Sequence, residues 1–425
     1  MINTAHRKMS AAFTVLAVFS PVFYMYEFPV PRVATSDFLW LLLLPFLLVE
    51  SMGKKYFLSP YLIFGAYGIC VSMFSGFFQR TYSFMLPRAG REVIYVLILA
   101  VLGQRYFDIE LGVKLFQWLA AALCAFLFFQ VIMDKAGVLV PWVIKPLRLH
   151  YTHQNYEDYM INWYDLNPVS NRFSSVFLEP ANLCHFLSPV LALTLFFKNR
   201  ITVKNMILAA VYTAAVLFSA SANGYVYIMF IWAIWLVYSI IANPVRMVKA
   251  VCLSLIIAAL AAIFIFRDSA MITGFTGRFS EFSDTGATSG NQRVLRGFLV
   301  YEQLPPVEKI FGIGFGNIKP FIESHNIVTP YDLGDMEYMN TISYILNCTG
   351  IIGTLTFLCS MGYYFIRASA AGRALIGVFF LIIFTSSIFH SAIYITFMLF
   401  MIYSHPKKAR LPDPDDIPLS AEAAI

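Results

Sequence analysis

The chain has 425 residues, of which 59% are hydrophobic and only 13% charged, and its mean hydropathy is +0.70. A soluble domain of this size carries about 25% charge, so the composition excludes an ordinary soluble fold and reads as an all-α polytopic membrane protein. The apolar runs are continuous rather than alternating, which argues against a barrel. The net charge of +6 is accounted for by short basic loops and implies no nucleic-acid partner.

In chain order, the apolar runs predict spans at 10–27, 37–52, 57–78, 92–107, 111–132, 179–197, 204–220, 224–242, 248–266 and 340–366. A last run, 374–403, is too long for one upright helix at 1.5 Å per residue and predicts two short helices turning near Ser386–His390. The expectation is therefore about 11–12 transmembrane helices in a single domain, residues 1–410, followed by a polar, proline-punctuated cytoplasmic tail, 411–425, that reads as disordered. The basic start (His6, Arg7, Lys8) resembles a signal peptide, but Pro29 and Pro31 stand where a cleavage site would follow, so the run reads as the first span. The six cysteines (Cys70, Cys124, Cys184, Cys252, Cys348, Cys359) lie in or beside apolar segments with neither CxxC nor His partners, and predict no metal site.

Orientation follows from the short basic loops. Lys54 and Lys55, Lys198 and Arg200, Arg246 and Lys249, Arg367 and Arg373, and Lys407, Lys408 and Arg410 all fall on one side if the N-terminus is cytoplasmic. Two long loops, 133–178 and 267–339, then face outward, and loops of that length are functional or disordered. Both are rich in aromatic and aliphatic residues, which favours function. They carry Arg148, Arg172, Arg278, Arg293 and Arg296, arginines that topology does not require. Arg88 and Arg91, in LPRAGRE, form a further outward cluster at the end of the fourth span.

Within the second loop, Asn291–Leu304 reads as a helix stopped by Pro305 and Pro306. Arg293 and Arg296 are three residues apart and share a face, a spacing from which two guanidiniums can fork onto a diphosphate. An amphipathic surface helix touching lipid headgroups is the alternative. FGIGFGN follows, with Gly312, Gly314 and Gly316; with no βαβ unit around it, it reads as a turn, not a dinucleotide fingerprint. At the mouth of the sixth span stand Glu179 and His185, open to two readings: functional groups, or a capping carboxylate and an interfacial imidazole. The 267–339 loop holds six Lys/Arg against nine Asp/Glu, so any anion site is local.

These pieces in this order resemble the O-antigen polymerase and O-antigen ligase superfamily, bacterial inner-membrane enzymes acting on undecaprenyl-diphosphate-linked sugars. The resemblance covers roughly 111–385: Arg172 before FLEPANLCHFL, then NQRVLRGFL running into the Gly-x-Gly turn, then NTISYILNCTGIIG with Gly350 and Gly353. It implies a GT-C-like fold and a metal-independent, cofactor-free glycosyltransferase on the periplasmic face. The substrate would be an undecaprenyl-diphosphate-linked oligosaccharide, and a chain-length regulator and a flippase would be expected partners. The ligases' histidine falls at Met339, beside Asn340, which favours a polymerase; His325–Asn326 is a displaced candidate.

On that reading Arg172, Arg293 and Arg296 stabilise the departing diphosphate, and Glu179 or Glu337 serves as base. Arg88, Arg91, Arg148, Arg278, Tyr156, Trp163 and Asn340 are expected to bind substrate, the aromatics by stacking on sugar faces. The alternatives are an O-antigen ligase, or a flippase or transporter of lipid-linked sugars. A transporter would carry charge along its spans, and these are almost charge-free.

Overall fold

A computed structural model describes residues 2–30, 33–138, 140, 148–149, 173–198, 202–242, 289–329 and 338–404. Among these residues the protein is all-helical, apart from two isolated bridges, Tyr26 with Leu149 and Glu27 with Ala34. In order the helices are α1 (Ile2–Phe23), α2 (Thr35–Ser51), α3 (Pro60–Gln79) and α4 (Tyr82–Val96). α4 runs on through a π-helical stretch, Leu97–Leu102, into Gly103–Tyr106. Then come α5 (Ile109–Lys135), α6 (Pro180–Phe196), α7 (Val203–Phe218) and α8 (Ala222–Ala242). They are followed by α9 (Ser289–Glu302), α10 (Pro306–Phe311), α11 (Ile318–Ser324), α12 (Thr341–Arg367), α13 (Ala370–Thr385) and α14 (Ala392–Tyr403).

Four of these, α3, α5, α8 and α12, are long and apolar enough to cross a bilayer, while α6, α7, α13 and α14 are apolar but shorter. A lipid environment also explains what lies outside. Phe46, Phe74, Phe77, Phe78, Trp118 and Ile132 are each about two-thirds exposed, a load of apolar surface that water would not tolerate. Inside, α6 is apolar all round and buried at every position except Asn182, as expected of a helix surrounded by others.

Hydrogen bonds chain the helix ends into two groups. At one end Ser10 bonds the Tyr106 carbonyl (2.9 Å), Ser59 meets Tyr364 (2.6 Å) and Ser369 meets Ser404 (2.9 Å). At the other, the Thr341 amide and hydroxyl donate to the Ser386 carbonyl (3.0 and 2.9 Å), and the Asn340 amide donates to the Arg293 carbonyl (2.7 Å). We call this second end the Ser386 end.

The run 374–403 does divide in two: α13 stops at Thr385, Ser386 is extended, and α14 begins at Ala392. His390 turns the chain in the left-handed region, at φ 61°. Two expected starts are displaced. The first helix begins at Ile2, eight residues before its apolar run, and the fourth at Tyr82, ten residues before its own, so LPRAGRE lies within it. Arg91, which ended the run, pairs with Asp37 (2.6 Å), and the next residue, Glu92, hydrogen-bonds His390 (3.0 Å). The expected span 248–266 lies outside the described residues.

The second long loop is more built than its sequence indicates. α9 forms and stops before Pro305 as expected, and is wedged between α12 and α13. The glycine turn then inserts into a break in α12. Gly350 has φ 63° and ψ −168°, which interrupts the helix. The freed carbonyls of Asn347 and Cys348 accept from the Ile313 and Gly314 amides (3.0 and 2.8 Å). A Cβ on Gly312 would lie 2.3 Å from the Cys348 oxygen, and one on Gly350 would lie 2.3 Å from the Ile310 oxygen. Both glycines also have positive φ, so space and conformation demand the same residue at this crossing.

Candidate functional site

The site forms where α6, α9 and α12 meet at the Ser386 end. Pro180 opens α6, with its missing N–H at a position where no intrahelical bond is needed. That places Glu179 just before the helix, where its side chain makes no capping bond. It reaches instead to Arg293 on α9, at 3.5 Å. The Arg293 Nε–H also donates to the Tyr338 hydroxyl, and the guanidinium lies 5.0 Å from the centre of that ring. Burial works against the charge on Arg293, but Tyr338 and Glu179 outweigh it and hold its pKa above the usual guanidinium value. The Arg293 side chain is 19% exposed and that of Glu179 33%, so the pair is enclosed yet reachable.

α9 is held close to α12 by three features. Asn340 caps α12 by accepting from the Ser343 amide (2.8 Å), and its Nδ2 donates to the Val294 carbonyl (2.9 Å). Asn347 donates to the Gly297 carbonyl (2.8 Å). Gly297 lies so close that a Cβ there would sit 2.0 Å from the Ser343 hydroxyl oxygen.

Behind Arg293 is a hydroxyl-rich layer. His185 Nε2 lies 2.9 Å from Ser386 Oγ and 3.4 Å from the Tyr227 hydroxyl, which in turn meets Thr385 at 2.6 Å. Asn223 also donates to Ser386 (3.4 Å). His185 is thus an enclosed hydrogen-bonding group, not an interfacial one.

The expected site residues therefore separate. Arg293, Glu179 and Asn340 come together. Arg296 lies one turn beyond Arg293 but is only 2% exposed, because α9 is pressed between α12 and α13. The expected two-guanidinium fork is thus presented by Arg293 alone in this state. Arg91 is engaged by Asp37 and Tyr24 (3.4 Å), and Arg148 by Glu27 (3.0 Å). Arg88 is half-buried one turn before Arg91. Arg172, Arg278, Glu337, Tyr156 and Trp163 lie outside the described residues. His325 stacks on Phe321, with ring centres 3.9 Å apart. Met339, beside Asn340, is fully buried.

Sequence reasoning missed Tyr338, Tyr227 and Ser386. It also missed a second, sealed polar cluster: Glu92 with His390, Tyr61 (3.4 Å) and, through Tyr61, Tyr394 (3.2 Å). An acid inside an apolar helix was the available signal for Glu92; a tyrosine before a helix gives none. Among the described residues no three His, Cys, Asp or Glu side chains converge as a metal would require. No protein-family model matches the chain, and no curated protein is significantly similar to it.

Proposed function

We propose that this protein is a polymerase of lipid-diphosphate-linked oligosaccharides, working on the outer face of a bacterial inner membrane. It would have twelve spans and a GT-C-like helical architecture. The observation that carries the reading is the convergence of sequence pieces that lie far apart. The Glu-Pro-Ala-Asn entry to α6 meets the arginine helix α9 through Glu179 and Arg293. α9 meets the opening of α12 through Asn340, and the glycine turn meets the break at Gly350. These are the segments on which the superfamily resemblance rests, and their meeting is what a single active site needs.

The chemistry follows from Arg293. In the free protein Glu179 neutralises it. A diphosphate carries more charge and offers paired oxygens to the planar guanidinium, so it displaces the carboxylate. Arg293 then faces the oxygen on which charge builds as the glycosidic bond breaks. The displaced Glu179 is left beside the leaving group, free to take the proton of the acceptor hydroxyl. Arg296 and Arg172 are the further cations of this reading. Charged side chains are few among the described buried residues, which favours it over a transporter.

The test is complementation of a gene deletion with Arg293→Ala, Arg296→Ala and Arg172→Ala, each verified as expressed, with lipid-linked glycans and surface polysaccharide resolved on gels. Single repeat units in place of long chains are expected. Long chains from Arg293→Ala would overturn the proposal. Finished chains stranded on the carrier after deletion would indicate a ligase, and units retained on the cytoplasmic face a flippase.

A further inference from the structure

α10 is built inside out. Val307, Ile310 and Phe311 occupy one face of this short helix and are 63%, 44% and 49% exposed. Its two charged residues, Glu308 and Lys309, are half-buried on the other side. A surface helix bathed in water does the reverse, turning its charges out and its apolar face in. The inverted pattern is that of a helix whose surroundings are less polar than its own protein.

Its depth agrees. The turn that follows α10 crosses α12 at Gly350, nine residues inside that helix, or about 14 Å at 1.5 Å per residue. On the opposite side Gly314 lies against the Ser72 backbone of α3, where a Cβ would come within 2.6 Å of Cα. Ser72 is seven residues inside α3, about 10 Å from its end. Between Ser72 and that end, Phe74, Phe77 and Phe78 are 70%, 65% and 67% exposed. The apolar belt of the bundle therefore extends well beyond the level at which the turn is inserted. Ile351 and Leu355, 46% and 54% exposed on α12, continue it past Gly350.

Non-helical backbone is tolerated at such depth only if its polar groups find partners. Here they do. The Ile313 and Gly314 amides are taken by α12, and the Phe315 amide by Ser72 Oγ (2.7 Å). The Phe311 carbonyl accepts from Tyr67 (3.0 Å) and the Ile313 carbonyl from Asn317 (2.9 Å).

We propose that residues 306–317 form a re-entrant wedge, with the Val307–Ile310–Phe311 face of α10 in contact with bilayer hydrocarbon. The segment that follows the arginine helix is then not an aqueous loop but a wall between the site and the membrane.

The experiment places a photoreactive benzoylphenylalanine at Val307, Ile310 or Phe311 of the full chain, reconstituted in phosphatidylethanolamine–phosphatidylglycerol vesicles. Phe77 on α3 serves as the lipid-facing control and Glu302, exposed at the end of α9, as the aqueous one. All three test positions are surface sites, so the replacement leaves packing intact. Phospholipid adducts at about the Phe77 yield are expected for Ile310 and Phe311, with none at Glu302. Adducts no more abundant than at Glu302 would overturn the proposal, as would a cross-link to a second copy of the chain in place of lipid.

Discussion

Two polar clusters stand at the same end of the bundle, built from the same kinds of residue and joined by one turn. Ser386 begins that turn and touches His185 and Tyr227, behind Arg293; His390 ends it and bonds Glu92. In the first cluster the ion-paired Arg293 and Glu179 side chains are 19% and 33% exposed; in the second the hydrogen-bonded His390 and Glu92 are 2% and 0%. The difference separates ligand chemistry from architecture. A charge pair open to water or ligand can exchange partners. A sealed hydrogen-bonded pair cannot, and its value lies in the cost of leaving either member unsatisfied.

That contrast is tested most severely by Glu92→Ala. Removing Glu92 leaves His390 and Tyr61 without that partner, at about 1–3 kcal/mol for each buried polar group left unsatisfied. Thermal unfolding in detergent, followed by size-exclusion fluorescence, should register a loss of that order or a failure to accumulate. A variant as stable as the parent would mean that water reaches Glu92, and the distinction between the clusters would collapse.

Arg293→Ala should behave in the opposite way. Removal of one donor to developing charge lowers rates by roughly 10²–10³, while the partly exposed pair it leaves contributes about 1 kcal/mol or less to stability. Loss of chain extension with an unchanged unfolding profile is expected. Equal loss of fold and activity would recast Arg293 as a second architectural cation.

Gly297→Ala acts on the support rather than on the cluster. The added carbon would meet the Ser343 side chain at 2.0 and 2.5 Å, so α9 must lift from α12. Overpacking of this kind costs about 1–3 kcal/mol, and Arg293 moves with its helix. Chain length should shorten, and pairing the change with Ser343→Gly should recover it. No recovery would show that α9 is positioned by something other than this contact.

How much of this was legible follows from which residues carried a pattern. The apolar runs gave the helices, and Ser386–His390 was marked as a turn because no single helix fits 374–403. The start of α4 was misplaced because Arg88 and Arg91 interrupt its hydropathy. The pairing of Arg91 with Asp37 is a tertiary fact, 54 residues away in sequence. Gly312 was readable as part of a turn, but Gly350 was read inside one continuous span, and nothing in a linear pattern says that the turn fills a break there. Tyr338 and Tyr227 carry no periodic signal, so the inner layer of the site appears only in three dimensions.

The smallest expected effect is the most discriminating for the arginines. Arg148 was expected to bind substrate, yet its side chain is 65% exposed and bonds Glu27. The backbone also ties the two segments together: the Glu27 amide donates to the Arg148 carbonyl (2.9 Å), beside the Tyr26–Leu149 bridge. The pair is screened at the arginine, while Glu27 is 3% exposed, and its segment is already held by its backbone, so the arginine contributes about 1 kcal/mol. Arg148→Ala should therefore leave chain length unchanged and lower the unfolding temperature only slightly. Loss of polymer from this variant would return Arg148 to the substrate. It would also show that an arginine paired in the free protein can still be a ligand, as proposed for Arg293, so partner exchange at this end would extend beyond one cluster.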